Sequence, residues 1–148
     1  GAGKSSVENG LEKDIKDNFK SYNVGFHRHQ PEIKDFLKIE FNLDHEIIFI
    51  PHLLPLFRGE YVTLYCEVSQ NDLDLNELYE SYYEKHKLVR VKEKGEIAEI
   101  KEVINTFYCD ISVSYAFQSN TIIVNSAIDN LLKGAASQAI QCLDIMSS

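Results

Sequence analysis

Two stretches of this chain alternate residue by residue between two kinds of side chain, and that period of two constrains the fold more than any other feature. In EYVTLYCEV (60–68), Val62, Leu64, Cys66 and Val68 point one way, and Tyr61, Thr63, Tyr65 and Glu67 the other. In CDISVSYAF (109–117), Ile111, Val113, Tyr115 and Phe117 share a face. Ser119-Asn120 supplies a turn, and TIIVNS (121–126) completes a hairpin. Strands of this kind, one face apolar and one solvated, belong to antiparallel sheets.

Other segments have the helical period. Val7, Leu11, Ile15 and Phe19 recur every fourth residue and predict a helix over 6–19. FKSYNVGFHRHQ then reads as a loop, and Pro31 suits the first position of a second helix, with Glu32 in its first turn and Ile33, Phe36 and Leu37 as its apolar side. EIIFIP (46–51) reads as a short apolar strand, and Pro51 and Pro55 make PHLLP irregular. Residues 71–86 read as a helix capped by Asp74 or Asn71, LVRVK (88–92) as a strand, and 127–146 as one long helix rich in small residues. Residues 93–106 stay ambiguous. Hairpin links outnumber βαβ links, so the fold class is α+β: a mixed, largely antiparallel sheet with helices on one face.

At 148 residues the chain has the size of one domain. Its net charge of −8 disfavours nucleic acid and anionic membranes as partners, and no apolar run approaches the ~20 residues a bilayer span needs. Cys66, Cys109 and Cys142 are odd in number and have no CxxC spacing, which reads as buried thiols in a reducing, cytoplasmic protein. The opening GAGKSS begins inside a glycine-rich loop, which reads as a fragment boundary; a phosphate-binding P-loop would need a further glycine and a strand upstream. Asp72, Asp74 and Asn76 imitate a calcium loop, but Glu77 stands where glycine is needed and Tyr83 where glutamate is. His27, His29, His45 and His52 have no evident companion ligand, so no metal is assigned.

Three segments carry chemistry. HRHQPEI (27–33) brings two histidines, an arginine and a glutamate together. Imidazole exchanges protons near neutral pH, a carboxylate bonded to it fixes its tautomer, and a guanidinium grips carboxylate or phosphate. A solvated polar loop fits the same residues equally well. PHLLPLFRGE (51–60) offers Arg58 and Gly59 beside two stiffening prolines, an anion-holding corner or a plain strand entry. In NSAIDNLLKGAASQAIQ (125–141), Gly134, Ala135, Ala136 and Ala139 permit close approach of a backbone or a flat ring. Lys133 sits early in that expected helix, where the dipole disfavours a cation, which points either to an anionic neighbour or to an exposed lysine on a packing face.

GAGK, CDI (109–111), HRHxPEI, PHLxPxxRG and SAIDNLxKGAAxQAxQ together resemble the N-acetyl-gamma-glutamyl-phosphate reductases, over nearly the whole chain. DNLxKGAA also resembles the aspartate-semialdehyde dehydrogenases, but their histidine motif has another form. The resemblance implies a fold like the C-terminal domain of glyceraldehyde-3-phosphate dehydrogenase. It implies an NADP-dependent reduction of N-acetylglutamyl 5-phosphate to the 5-semialdehyde, in arginine biosynthesis, by way of a cysteine thiolate. By resemblance His27 is the general acid/base and Glu32 orients it. Arg28, His29 and Arg58 line the substrate's anionic groups, and Gly1, Ala2, Gly3 and Lys4 sit against the substrate. Asn130, Lys133, Gly134 and Ala135 face the nicotinamide.

The family's nucleophilic cysteine and dinucleotide-binding fingerprint lie in an NADP-binding domain that this chain lacks. The three cysteines here are therefore read as structural, and the chain alone as inactive. The expected partners are that missing domain, the substrate, and further copies in a homodimer or homotetramer. The expected interface is the polar and aromatic face of the strands at 60–68 and 109–117. An aspartate-semialdehyde dehydrogenase-like domain and a non-catalytic dimerisation or ligand-binding module are the alternatives.

Overall fold

The computed structural model describes residues 15–69, 72–117 and 119–147. The chain forms two compact units that divide between Leu56 and Phe57. The helix expected over 6–19 lies mostly outside the described residues. Those of its residues that are described, 15–19, form a turn and an extended segment.

In the first unit, β1 (Lys20–Ser21) pairs antiparallel with β2 (His52–Leu53), Lys20 opposite Leu53 and Ser21 opposite His52. Neither short strand was visible in the sequence, because two residues carry no period. Residues 46–51, read as a strand, have no strand conformation. An apolar run becomes a strand only beside a partner, and the one ladder among the described residues of this unit begins at His52, just after Pro51 accepts a bond from Tyr22 N–H (3.0 Å). Helix α1 (His29–Phe41) starts two residues before the expected Pro31. Proline is tolerated throughout a first turn, where backbone N–H groups have no intrahelical partner. The helix ends at Asn42, left-handed at φ 54°, with Leu43 N–H reaching back to the Leu37 carbonyl (3.2 Å).

The second unit is a four-stranded sheet in the order β3 (Glu60–Glu67), β6 (Thr121–Ile128), β5 (Cys109–Tyr115), β4 (Val89–Val91). β3–β6 and β6–β5 are antiparallel and β4–β5 is parallel. The predicted hairpin is present, and β6 runs two residues past the expected end. Register follows the alternation: Val113 lies opposite Val124 and Leu64 on its other side, so one face is continuous and apolar. Helix α2 (Leu75–Tyr83) covers part of that face, with Leu75 buried against Ile111, Val113, Ile122 and Val124. Asp74 caps it by accepting from Asn76 and Glu77 N–H.

Short helix α3 (Ile100–Val103), in the segment the sequence left ambiguous, lies against the opposite face. Ala98 and Val103 pack there on Ala127, all three fully buried. Ser112 Oγ, on that same face of β5, accepts the buried Ala98 N–H (3.1 Å). The expected long helix over 127–146 is instead the end of β6, a π-helical turn (Leu132–Ala136) and α4 (Ser137–Ser147).

Candidate functional site

Each unit contributes one group of candidate residues. In the first, Asn23 (φ 47°) and Gly25 (φ 81°) adopt left-handed conformations that reverse the chain after β1 and deliver His27 to the start of α1. The His27 ring lies 4.6 Å from that of His29, 5.1 Å from Phe49 and 5.6 Å from Tyr22, centroid to centroid. Phe49 also meets His29 edge-on at 5.8 Å. Its backbone N–H donates to Gln30 Oε1 (3.4 Å), which ties the 46–51 segment to α1 behind the two imidazoles.

His27 Nδ1 accepts the backbone N–H of His29 (3.2 Å). With Nδ1 committed as an acceptor, the neutral ring carries its proton on Nε2 and presents that N–H as a donor. The carboxylate expected to set this tautomer is elsewhere: Glu32 is exposed in the first turn of α1, and no bond joins it to His27 among the described residues. A backbone amide does the orienting. Arg28 is the exposed N-cap residue of α1, with its side chain making no capping bond. His52 is stacked on Phe19 at 5.0 Å. Gly1, Ala2, Gly3 and Lys4 lie outside the described residues.

In the second unit the candidates meet at a corner. Arg58 Nη1 donates to Asp129 Oδ2 (3.2 Å) and Asn105 Oδ1 (2.6 Å), and Gly59 N–H donates to Asn130 Oδ1 (2.7 Å). Asp129 is fully buried, and four donors satisfy its carboxylate. Burial opposes its ionisation, yet the N–H groups of Asn105, Leu132 and Leu131, with the Arg58 charge, outweigh that and hold the group below the ordinary aspartate value. The sequence reading passed over Asp129 and Asn105. An aspartate two residues ahead of unpaired helix N–H groups is the signal that finds the first; only the fold reveals the second.

Beyond Asp129 the backbone takes the wide π spacing, with Gly134 N–H donating to the Asp129 carbonyl (3.0 Å) and Ala136 N–H to that of Leu131 (3.2 Å). Lys133 is not met by an anion among the described residues. Its Nζ donates to Gln138 Oε1 (2.8 Å) and Gln141 Oε1 (2.6 Å), both on α4. Gly134, Ala135 and Ala136 are exposed and carry nothing larger than a methyl group. A Cβ on Gly134 would lie 3.3 Å from Ile128 Cδ1, so its smallness also serves packing against β6. Asn130 spends its carbonyl oxygen on Gly59 and keeps its amide donors. A side-chain-poor surface with a nearby amide donor fits the flat ring of a nicotinamide.

The three thiols are unpaired. Burial pushes Cys66 up, away from the thiolate. Cys109 Sγ shares a contact with Ser126 Oγ (3.3 Å), and Cys142 lies 3.7 Å from Gln138 Nε2.

The family model described as semialdehyde dehydrogenase, dimerisation domain, matches residues 1–130. The chain is 39% identical over 149 aligned residues to an N-acetyl-gamma-glutamyl-phosphate reductase of Thermoanaerobacter sp. (strain X514), and 36% identical over 148 to one of Staphylococcus saprophyticus. Each alignment covers 99% of this chain and 43% of the relative, so the chain spans less than half the length of these proteins. Among solved structures it is similar to aspartate semialdehyde dehydrogenase II from Vibrio cholerae, with a TM-score of 0.70 and 15% identity, covering 97% of this chain and 47% of that one. The aspartate semialdehyde dehydrogenase from Francisella tularensis matches with a TM-score of 0.69 at the same identity, over 97% and 44%. At that identity the likeness establishes the shared fold.

Proposed function

Because this chain belongs to the semialdehyde dehydrogenase dimerisation-domain family, we propose that it is the C-terminal part of an N-acetyl-gamma-glutamyl-phosphate reductase, which reduces N-acetylglutamyl 5-phosphate to the 5-semialdehyde. The observation that carries this reading is the 36–39% identity to such reductases over 99% of the chain, HRHQPEI included in the aligned span. In this chemistry a cysteine thiolate outside this chain displaces phosphate from the acyl phosphate. NADPH, bound mainly by the rest of the protein, supplies the hydride that converts the thioester to the aldehyde.

His27 is the proton-handling group. Its Nε2–H stabilises negative charge as it develops on the substrate's carbonyl oxygen. Taking up a second proton, at Nδ1, requires breaking the bond from His29 N–H, so in this conformation the ring is set as a donor. Arg28 and His29 flank it and hold the substrate's anionic groups. Glu32, in the same turn, helps to orient the His27 segment. Arg58 offers the substrate only the donors that Asp129 and Asn105 leave over. Gly1, Ala2, Gly3 and Lys4 contact the substrate, and Asn130, Lys133, Gly134 and Ala135 receive the nicotinamide.

The chain works as a homodimer or homotetramer in the cytoplasm. Its contact surface is the face of β3 that carries Tyr61, Thr63, Tyr65 and Glu67; the polar face of β5, also expected there, is covered by the chain itself, with Asp110 and Ser112 buried. Tyr65 is 68% exposed there, and Thr63 Oγ1 is held by Asn125 (2.9 Å). Exposed aromatics on an ordered sheet are typical of subunit contacts. No helix among the described residues is long and apolar enough to cross a membrane.

The test is substrate preference of the full-length protein, assayed as NADP- and phosphate-dependent oxidation. N-acetylglutamate 5-semialdehyde should exceed aspartate semialdehyde in kcat/KM by about a hundredfold or more, since a site built for the acetamido group leaves buried polar atoms unpaired without it. Preference for aspartate semialdehyde would favour the relationship seen in the solved structures. No turnover of either would leave only the assembly role.

A further inference from the structure

The corner around Asp129 has a design that ligand binding does not explain. Three chain segments distant in sequence end on one carboxylate. Oδ1 accepts from Leu131 N–H (2.9 Å) and Leu132 N–H (3.0 Å). Oδ2 accepts from Asn105 N–H (2.8 Å) and Arg58 Nη1 (3.2 Å). Arg58 is bound back to the Asn105 side chain, and Gly59 to that of Asn130. Two of the contributing residues have left-handed backbones, Asn105 at φ 60° and Gly59 at φ 117°. The Asp129 side chain has no exposed surface, so it touches no ligand.

The carboxylate satisfies the first two N–H groups of the segment that follows, and the Asp129 carbonyl accepts the first π-spaced bond, from Gly134. A π-helical turn is a costly local geometry and persists where its surroundings hold it. Here those surroundings are a buried anion in front and the Lys133–Gln138–Gln141 cluster behind. Between them lie Asn130, Lys133, Gly134 and Ala135.

We propose that Asp129, paired with Arg58, is a positioning residue: it sets the path of the π-helical turn that presents residues 130–135 to the dinucleotide. This rests on the function proposed above for the ligand, though not for the geometry. Arg58 then serves the reaction chiefly as one of the donors that fix the Asp129 carboxylate in place, and Asn105 closes the third side.

The experiment uses the full-length protein with Asp129→Asn, which keeps size and one acceptor oxygen but removes the charge, and with Arg58→Lys, which keeps a cation. Amide hydrogen exchange should speed up by about tenfold or more at residues 131–137 in Asp129→Asn, well beyond any change in β5 and β6. KM for NADPH should rise by about tenfold, with KM for the acyl phosphate within about twofold of wild type. Arg58→Lys should recover most of the exchange protection. Unchanged exchange at 131–137 would overturn the proposal. So would loss of protection spread equally through β5 and β6, which marks a core ion pair, and so would a rise in acyl-phosphate KM alone. If the wild-type protein reduces no acyl phosphate, the functional reading falls separately, and the exchange pattern by itself confirms or refutes the positioning role.

Discussion

Between Ile15 and Leu56, Leu53 is the one buried hydrophobic residue among those described, whereas the unit beginning at Phe57 buries eight, together with Asp110, Ser112 and Asp129. In the first unit Phe36, Ile39 and Phe41 of α1 stay largely exposed, and the histidines are arranged by ring contacts and one amide. In the second, the three buried polar residues have partners: Asp110 meets Arg90 (2.6 and 2.9 Å), Ser112 meets Ala98 and Asp129 meets four donors, while the Tyr115 hydroxyl and Ser137 Oγ are buried without a bond among the described residues. In the function proposed above, that difference is one of purpose: the proton-exchanging group sits where water reaches it, and the groups that fix geometry are buried.

This contrast predicts that changes in the second unit act on stability and changes near His27 act on rate. The largest effect concerns the whole chain. The three cysteines, Cys66, Cys109 and Cys142, all lie in the second unit and none is in the group of residues around His27, so the 148-residue chain assayed alone should show no acyl-phosphate reduction. Turnover by the isolated chain would dissolve the division of labour at once.

Gly59→Ala comes next. At φ 117° any side chain is strained, and a Cβ would lie 2.5 Å from Ile100 Cγ2. The loss should be about 3 kcal/mol, read from a denaturant midpoint, because strain and overpacking add. A loss below about 0.5 kcal/mol would show the corner to be softer than its contacts imply. Ser112→Ala strands the fully buried Ala98 N–H and should cost about 2 kcal/mol in the same titration. An unchanged midpoint there would mean that the amide finds another acceptor.

The smallest effect is a pH dependence. Asp129 is held below its ordinary value, so its stabilising contribution is complete above that value and is lost as pH falls through the lowered one. The melting-temperature gap between wild type and Asp129→Asn should thus be constant near neutrality and close below about pH 4. A gap that widens in acid would reverse the sign and contradict the ionised state.

The sheet was legible because alternation is a physical period: Leu64 and Cys66 lie opposite Val124 and Ile122 on one face, although Val62 and Leu64 stay exposed on it. Asp74 was legible as a cap because a short acceptor before an apolar helix has one common use. Strands β1 and β2 were not, being too short for any pattern. The run EIIFIP looked like a strand because apolarity suits strands, yet among the described residues no strand pairs with it, and its one backbone–backbone bond to a neighbour comes at its end, from Tyr22 to Pro51. The π-helical turn hid inside a sequence of small residues that suits an ordinary helix, and with it Asp129 hid as one more helical position. HRHQPEI was legible as a cluster. Its wiring was not: Phe49 arrives from twenty residues away, and a main-chain amide, invisible to side-chain reasoning, takes the place given to Glu32.

The most direct test is the turnover of full-length His27→Ala in phosphate-dependent semialdehyde oxidation, measured beside its thermal melt. The account predicts a kcat lower by about a hundredfold or more with the melting temperature unchanged, as for a lost proton-transfer group on an open loop. A kcat within about threefold of wild type, or a collapse of the fold that carries the rate down with it, would contradict it.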